Sequence, residues 1–326
     1  MHGADAAEAT RFRWDWQHRR NPHNATGQPG IWVAREGPTV VGHYQTLPVR
    51  LSLKGLEVDG AWGTDAMIAP ERDRQGLDEA LLRTWDRNSG AMLAIRLSKE
   101  SRQLLDRLHW PESHVVPALV KPLTRRAMRM PHLPVAFNRL ISAVTHPLVQ
   151  IVARSRPLRA ECEPIRRFDH AFTTLWERLA PKFDLAVRRD AAYLNWKFVT
   201  APHVRYSIAV VRREDRNIGY AVYRHLYEPR GRVTLLVDFL TDPDDEAAFT
   251  TLLNWIDREA RLADSDKIRV FAMHEGFRRV LRRSGYFQVK STMEFVVKIN
   301  GVDVESGFYE NTDRWHVTLG DSDQDR

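Results

Sequence analysis

The turn at residues 70–82 combines charge, a glycine and the predicted start of a helix. It reads Pro-Glu-Arg-Asp-Arg-Gln-Gly-Leu-Asp-Glu-Ala-Leu-Leu, and the apolar spacing after Gly76 predicts an amphipathic helix. The first amide N–H groups of a helix have no partner inside the helix, and the helix dipole favours an anion beside them. Gly76 lets a ligand approach the backbone closely, and Arg72 and Arg74 have side chains suited to phosphates. The turn therefore predicts a binding site for a pyrophosphate.

A second turn of the same kind has the opposite charge. Asp242-Pro243-Asp244-Asp245-Glu246 precedes another predicted helix and contains four carboxylates and no glycine. Carboxylates stabilise a helix N-terminus, but they repel a diphosphate. We therefore expect only the first turn to hold a phosphorylated cofactor. The second half is expected to be a scaffold, a substrate wall or an acceptor-binding domain.

The two turns belong to a longer internal repeat. Trp16 and Trp196 are each followed six positions later by a proline. After each tryptophan come two strands, a third strand with an aspartate (Asp65 or Asp238), an amphipathic helix, a strand and a basic helix. The repeated order predicts two copies of one α/β unit. The predicted apolar helix faces consist of Leu77, Ala80, Leu81 and Trp85 in the first copy and Ala248, Leu252, Leu253 and Ile256 in the second.

A basic segment rich in proline separates the two copies. Residues 113–160 contain eight Lys or Arg and no acidic residue, a composition typical of a linker. We therefore predict a first domain at residues 1–120, a linker at residues 121–160 and a second domain with an acidic tail at residues 161–326. The linker is expected to pack across both domains. The alternative is peripheral contact with an anionic membrane, or a landing patch for an acidic carrier.

The composition predicts a globular protein, and we expect it in the cytoplasm. Hydrophobic residues at 43% and ten tryptophans supply enough apolar surface for ordinary cores. The start of the chain has no apolar run, and no stretch approaches the roughly 20 apolar residues that a spanning helix needs. A single cysteine, Cys162, cannot form an internal disulfide. The net charge of +7 predicts attraction to a polyanion without identifying it.

The first turn resembles the acyl-CoA loop of the GCN5-related N-acetyltransferase (GNAT) superfamily. That loop typically reads proline, two residues, Arg, Gly, Gln or Arg, Gly, any residue, then Gly or Ala. Gln75 and Gly76 match it, and Pro70, Ala80 and Leu81 match the wider pattern. The whole layout is similar to tandem bacterial acetyltransferase-like proteins found near surface-polysaccharide genes. The resemblance implies an α/β fold with two GNAT-like mixed-sheet domains, acetyl-CoA or another acyl-CoA as co-substrate, and no metal.

The resemblance also implies roles for individual residues. The cofactor-binding residues that it implies are Met67, Ile68 and Ala69 for pantetheine, and Arg72, Arg74, Gln75, Gly76 and Leu77 for the phosphates. Transfer of an acyl group to an amine needs a proton acceptor, and Asp65 is the expected catalytic base, directly or through water. The alternative is that Asp65 and Asp238 cap the backbone where strands separate. The superfamily's usual general acid is a tyrosine on the last helix, but Leu105 and Leu281 stand at the matching positions.

Four more polar residues are candidates for contact with the acceptor: His43, Ser98, Asp238 and His274. Each has a structural alternative, such as a strand histidine at position 43 and a helix N-cap at position 98. The end of the chain from Trp315 has acids at alternate positions, but it lacks the glycine of a calcium loop. We therefore predict a solvated tail there.

These features predict acyl-CoA-dependent N-acyl transfer to an amine acceptor. A small-molecule or sugar-linked amine is expected, with an amino sugar of surface-polysaccharide synthesis as the leading candidate. One alternative is an aminoacyl-tRNA-dependent ligase of the kind that also pairs two such folds. The basic charge suits tRNA, but no coiled-coil arm or obvious RNA platform is present, so nucleic acid is not the expected partner. The other alternative is a non-catalytic binding protein. Two departures from the superfamily's loop favour it, Asp73 in place of the usual arginine and Asp78 in place of a small residue, as does the vacant tyrosine position.

Overall fold

The computed structural model describes residues 2–24, 26–72, 76–128, 160–229 and 231–321. The helices are α1 (His2–His18), α2 (Leu77–Arg87), α3 (Lys99–Arg107), α4 (His170–Leu179), α5 (Ala191–Leu194), α6 (Glu246–Leu262) and α7 (Glu275–Arg283). Most of the predicted linker, residues 129–159, lies outside the described ranges. Within those ranges no helix has both the length and the apolar character needed to cross a membrane.

Within the described ranges, fifteen strands form two mixed sheets. They are β1 (Ile31–Glu36), β2 (Thr39–Leu53), β3 (Leu56–Ile68), β4 (Ala91–Ile95), β5 (His114–Val115), β6 (Ala118–Pro122), β7 (Glu161–Ile165), β8 (Leu185–Val187), β9 (Ser207–Arg213), β10 (Arg216–Glu228), β11 (Gly231–Thr241), β12 (Lys267–Phe271), β13 (Phe287–Val289), β14 (Glu294–Ile299) and β15 (Trp315–His316). The first sheet has the order β15-β8-β2-β3-β4-β14-β5, with β1 against β2. The second has the order β13-β6-β12-β11-β10-β9-β7.

The centre of each sheet follows the predicted order of elements. The first unit, β1–β4 with α2 and α3, has an antiparallel pair β2–β3 and a parallel pair β3–β4 connected through α2. The second unit, β9–β12 with α6 and α7, repeats this with β10–β11 and β11–β12, connected through α6. A parallel pair needs such a crossover connection, because its second strand must start at the same end as the first.

A β-bulge lies at the same place in both units. Thr64 has no partner on β2, since Gln45 faces Asp65 and Thr46 faces Gly63. In the second unit Val237 is the unopposed residue, and Asp238 follows it. Each bulge comes just after the last residues that pair in parallel with the next strand. A bulge bends and twists its strand, so it helps to separate the two parallel strands beyond this point.

The two sheets exchange strands. β14, from the end of the chain, lies between β4 and β5 in the first sheet, while β6 lies between β12 and β13 in the second. Each sheet is therefore completed by a strand from the other half of the sequence. The domain boundaries at residues 120 and 160 stay a prediction. Strand pairing does not follow them, because β6 spans residue 120 and belongs to the second sheet, whereas β14 comes after residue 160 and belongs to the first.

The repeated tryptophans meet where the halves join. The indole rings of Trp16 and Trp196 stack with their centroids 4.6 Å apart. Each ring N–H donates to the other residue's backbone carbonyl at 2.8 Å. Both side chains are buried. This reciprocal contact satisfies two polar N–H groups that burial would otherwise leave without partners.

One continuous apolar core runs through both sheets, and a smaller cluster lies under α2 and α3. α6 buries the predicted face, including Leu252, Leu253 and Ile256. On α2 the prediction was wrong for Ala80, which is exposed, whereas Leu82 is buried beside Leu81 and Trp85. The buried stripe thus keeps Leu81 and Trp85 and differs at one edge, where Leu82 takes the place of Ala80, within the width of an amphipathic face.

Candidate active site

A gap opens between β3 and β4 in the first unit. The strands pair in parallel from Gly60 opposite Ala91 to Trp62 opposite Leu93, and pairing ends there. Beyond this fork lies a cavity of about 650 Å³. It is enclosed by β3, the end of β4 and the helices α2 and α3, with Asp65, Ile68, Leu81 and Leu105 among its lining residues. Its volume is in the range of small-molecule sites, which typically lie at the carboxyl ends of parallel strands.

The edge of β3 that faces the gap has backbone groups available for a ligand. The Ala69 N–H donates to the Val41 carbonyl of β2 at 2.8 Å. Because successive N–H groups of a strand point in opposite directions, those of Ile68 and Ala66 point into the gap. Both residues line the cavity. An extended ligand with amide groups could therefore pair with β3 as an added strand does.

The predicted pantetheine residues divide accordingly. Ile68 lines the gap, whereas the Ala69 N–H is used by β2. Met67 pairs in register with His43, and its side chain is 61% exposed. Neither Met67 nor Ala69 lines the cavity, but Ala66 does. The strand beside the gap thus contains the predicted residues. Which of its N–H groups point into the gap depends on how β3 pairs with β2, and this pairing is not visible in the sequence.

The first turn of α2 borders the same gap through Asp78, whose carboxylate accepts a hydrogen bond from the Glu79 N–H at 2.8 Å. Gly76 and Leu77 do not line the cavity. Gly76 is the N-cap residue, with φ of +72°, and no atom would lie within 4 Å of a Cβ placed on it. A left-handed backbone favours glycine, and glycine brings no side chain to cap the first N–H groups. Leu77 is half-buried behind it. The Arg72 side chain and residues 73–75, with the predicted Arg74 and Gln75, lie outside the described part of the chain.

Asp65 and His43 lie on one face of the sheet beside the gap. Asp65 follows the bulge and is exposed, and it lines the cavity. His43 lies on β2 opposite Met67, so it is on the same face as Asp65 and also lines the cavity. The two predicted residues are therefore brought to one opening, where an exposed carboxylate and an imidazole can meet an incoming amine.

Tyr44 is a site residue that the sequence did not indicate. Its hydroxyl lies over Gly63 at the fork, where a Cβ on Gly63 would come within 2.3 Å of the oxygen. The ring packs against Trp85, with centroids 5.2 Å apart. Burial raises the pKa of Tyr44 above its ordinary value, so the phenol is neutral and can donate a hydrogen bond. An aromatic residue in a strand usually packs in a core, and nothing local distinguished this one.

In the second unit the corresponding gap is filled by the chain itself. The segment Trp315–Asp321 is buried throughout, so the prediction of a solvated tail is wrong for these residues. The Met273 N–H donates to the Val317 carbonyl at 3.3 Å, and Nε2 of His316 lies 2.8 Å from the Phe239 carbonyl. The segment thus occupies the place between β11 and the end of β12 that is open in the first unit.

Asp238 belongs to a buried network that holds this segment. Its side chain is 1% exposed and accepts hydrogen bonds from Tyr220 at 2.7 Å and Thr318 at 2.7 Å. Arg189, also buried, lies 3.1 Å from Asp238 and 2.7 Å from Asp321. Because these bonds come from side chains, Asp238 has a structural role, but it does not cap the backbone as the alternative from sequence had it, and it is not open to an acceptor. Its counterpart Asp65 is exposed at the gap.

Ser98 and His274 occupy matching positions as helix N-caps. The Ser98 hydroxyl accepts from the Ser101 N–H at 3.1 Å at the start of α3. Nδ1 of His274 accepts from the Gly276 N–H at 3.0 Å at the start of α7. Burial lowers the pKa of His274 to about 4, so this ring is neutral near pH 7. Neither residue lines the first-unit cavity.

The acidic turn before α6 is fully engaged in structural contacts. Asp245 caps the helix through the Ala248 N–H at 3.0 Å and pairs with Arg213 at 2.9 Å. Lys182 pairs with Asp242 and Asp244 at 3.4 and 2.7 Å. These contacts leave the α6 N-terminus closed to a diphosphate, in agreement with the charge argument from sequence.

Solved structures share this architecture. A GCN5-related N-acetyltransferase from Anabaena variabilis matches with a TM-score of 0.59 at 13% identity, covering 92% of this chain and 66% of that one. Saccharomyces cerevisiae N-myristoyltransferase with bound myristoyl-CoA and inhibitors matches at 0.55 and 13%, covering 91% and 77%. A probable N-acyltransferase from Enterococcus faecalis matches at 0.54 and 10%, covering 80% and 59%.

The chain thus spans just under two thirds of the Anabaena protein's length. No protein-family model matches the chain, and no curated protein matches its sequence. The fold likeness is nevertheless consistent over most of the chain. This protein therefore has the fold of GNAT-type N-acyltransferases, with two mixed sheets.

Proposed function

We propose that the protein is an acyl-CoA-dependent N-acyltransferase whose single cofactor site is the gap between β3 and β4. The observation that carries the proposal is the contrast between the two gaps. The first is an open cavity of about 650 Å³ with a free strand edge and a nearby helix whose N-cap residue is a glycine without a capping side chain. The second gap is occupied by Trp315–Asp321, and Asp245 caps the start of the helix beside it, α6.

The cofactor would lie along β3 and end at α2. Pantetheine amides would pair with the backbone at Ala66 and Ile68, and the pyrophosphate would accept hydrogen bonds from the first N–H groups of α2 next to Gly76. The thioester would then reach the fork near Gly63 and Tyr44. Solved N-myristoyltransferase holds myristoyl-CoA in a related fold, which supports an acyl-CoA here.

The chemistry is direct transfer without a covalent enzyme intermediate. The neutral amine attacks the thioester carbonyl carbon, a C–N bond forms, the C–S bond breaks, and CoA leaves as a thiolate that is then protonated. Asp65, directly or through a water molecule, accepts the proton that the amine loses. The Tyr44 phenol donates a hydrogen bond to the charge that develops on the thioester. Leu105 stands at the superfamily's tyrosine position and lines the cavity with an apolar side chain, so it cannot donate a proton. Tyr44 would supply the hydrogen-bond donor at the fork instead.

The proposed acceptor is an amine, and a sugar-linked amine remains the leading candidate. It would approach from the face that carries Asp65 and His43. Membrane contact through residues 121–160 stays a proposal, because most of that segment lies outside the described ranges. Lys121 itself is buried and pairs with Asp257 at 2.9 Å, so it would not contribute to such contact.

The test is thiol release from acetyl-CoA and a long-chain acyl-CoA in the presence of a panel of amines that includes amino sugars. Asp65→Asn should lower kcat about 100-fold and leave acyl-CoA affinity nearly unchanged. Asp59→Asn is the matched control, since Asp59 is on the same strand, exposed and outside the cavity. Equal turnover in both variants would show that Asp65 is not the base, and no thiol release with any amine would contradict the proposed activity.

A further inference from the structure

A second cavity, of about 420 Å³, lies where β6 is inserted between β12 and β13. Four basic side chains line it: Arg96, Lys267, Arg269 and Lys290. They come from the end of β4, from β12 and from the segment after β13, so the fold brings together charges that are distant in sequence. Apolar side chains such as Val120 and Val289 form the rest of the wall. We call this space the basic cavity.

The basic cavity has more positive charge than its carboxylate neutralises. Lys267 and Arg269 both pair with Glu228. The Lys267 Nζ lies 3.1 Å from a carboxylate oxygen of Glu228, and the two terminal nitrogens of Arg269 lie 2.5 and 3.0 Å from its oxygens. Their side chains are only 19% and 28% exposed. Burial acts to raise the pKa of Glu228, but hydrogen bonds from Arg269 and Lys267 keep it below its ordinary value, so one negative charge faces two positive ones. Lys290 has no ion-pair partner among the described residues. Excess charge beside low-dielectric walls attracts an anion.

The fold does not require these cations. The register of the parallel and exchanged strands makes Ala91 and Leu93 of β4 equivalent to Lys267 and Arg269 of β12. Ala91 and Leu93 are buried apolar residues, 0% and 1% exposed. The same strand position is thus filled by core residues in one unit and by half-buried charges in the other. Half-buried charges carry a desolvation cost, so a function is the simplest reason for their presence.

Arg96 connects the basic cavity to the candidate active site. It lines both cavities. Its backbone is in the left-handed region, with φ of +55°, and its N–H donates to the Glu294 carbonyl of the exchanged strand at 2.8 Å. A non-glycine residue in this conformation costs about 1–2 kcal/mol, and such positions cluster at functional sites. A ligand in the basic cavity would therefore share Arg96 with the cavity of the proposed acyl-transfer site.

We propose that the basic cavity binds the phosphate of a phosphorylated amine acceptor, and that the amine of this acceptor reaches Asp65. The phosphate would be held by Lys267, Lys290 and Arg96. That the phosphate belongs to the acceptor rests on the proposed function, whereas phosphate binding in this cavity does not. The same chemistry is offered by a soluble sugar phosphate and by a lipid headgroup.

The test begins with calorimetric titration of inorganic pyrophosphate into the full chain, with and without saturating CoA. Binding should survive saturation with CoA and should weaken about tenfold in Lys290→Gln and in Lys267→Ala. Lys267→Ala introduces the alanine found at the equivalent position of the first unit, Ala91, and retains the pair between Arg269 and Glu228. Lys54→Gln is the control, because it removes the same charge from an exposed residue that lines neither cavity.

Displacement of pyrophosphate by CoA would overturn the inference, as would equal affinity in wild type and Lys290→Gln. The affinity for acyl-CoA, measured in parallel, should be the same in both variants as in wild type. If wild type did not bind acyl-CoA at all, the proposed function would be contradicted, but the inference that phosphate binds in the basic cavity would not be affected. Two acceptor arms then separate the sources. If the acceptor is soluble, glucosamine 1-phosphate should displace bound pyrophosphate at a lower concentration than glucosamine does. If the acceptor is a lipid, phosphatidylethanolamine vesicles should displace the pyrophosphate. Failure of both arms would overturn the assignment to the acceptor.

Discussion

A methyl group on Gly63 would collide with Tyr44 at the fork between β3 and β4. In Gly63→Ala the new Cβ would lie 2.3 Å from the Tyr44 hydroxyl oxygen and 3.1 Å from its Cζ atom. The ring cannot retreat easily, because it packs against the buried Trp85. The substitution should therefore displace the hydroxyl from the fork or strain the strand pair.

The expected cost follows from the geometry. Overpacking of this kind typically destabilises a protein by about 1–3 kcal/mol. In Gly63→Ala/Tyr44→Phe the oxygen is gone and the nearest remaining contact is 3.1 Å, which a shift of a few tenths of an ångström relieves. We expect the double variant to recover most of the lost free energy of unfolding, a coupling of about 1–2 kcal/mol.

Urea unfolding and thiol release, measured on all three variants, separate packing from chemistry. Gly63→Ala should lose stability and turnover, Tyr44→Phe should lose about tenfold in kcat, and the double variant should regain stability without regaining turnover. Gly301→Ala is a control, since its Cβ would make only ordinary contacts at 3.4 Å and beyond. If Gly63→Ala matched wild type in both assays, the hydroxyl would not lie at the fork and its proposed role would be refuted.

Two further predictions concern the second unit. Because burial lowers the pKa of His274 to about 4, the unfolded state binds a proton that the folded state excludes, so stability should fall by up to about 3 kcal/mol as the pH drops from about 6.5 to 4. Denaturant titrations at pH 7 and 4.5 should show a smaller difference in His274→Asn, which keeps a capping side chain; an unchanged difference would contradict this. Asp238→Asn removes a charge that buried Arg189 needs and should cost about 3 kcal/mol by thermal or urea unfolding, whereas Asp65→Asn should change stability by less than about 0.5 kcal/mol. Equal stabilities of these two variants would show that the two aspartates are not differentiated as the structure indicates.

Local sequence patterns predicted much of the fold. Alternation and helical spacing predicted the order of elements in both units, and fixed landmarks predicted that Asp65 and Asp238 correspond. These features could be predicted because each depends on residues close together in sequence, where periodicity and turn chemistry act.

Features made by distant segments could not be predicted. The insertion of β6 and β14 into opposite sheets leaves no local trace, since an apolar strand is compatible with either sheet. The acids near the end of the chain suggested solvent, yet Asp321 is buried because Arg189 lies beside it. Tyr44 was overlooked for a similar reason, because its role depends on Gly63 of the neighbouring strand.

Calorimetry of the purified protein with acetyl-CoA and with a long-chain acyl-CoA tests the central claim most directly. One site per chain is predicted, abolished by Gly76→Trp, which would fill the open start of α2, and retained in Gly307→Trp, a glycine with a similar backbone and equally open surroundings. Two sites per chain, or one site indifferent to Gly76→Trp, would contradict the assignment of the cofactor to the gap between β3 and β4.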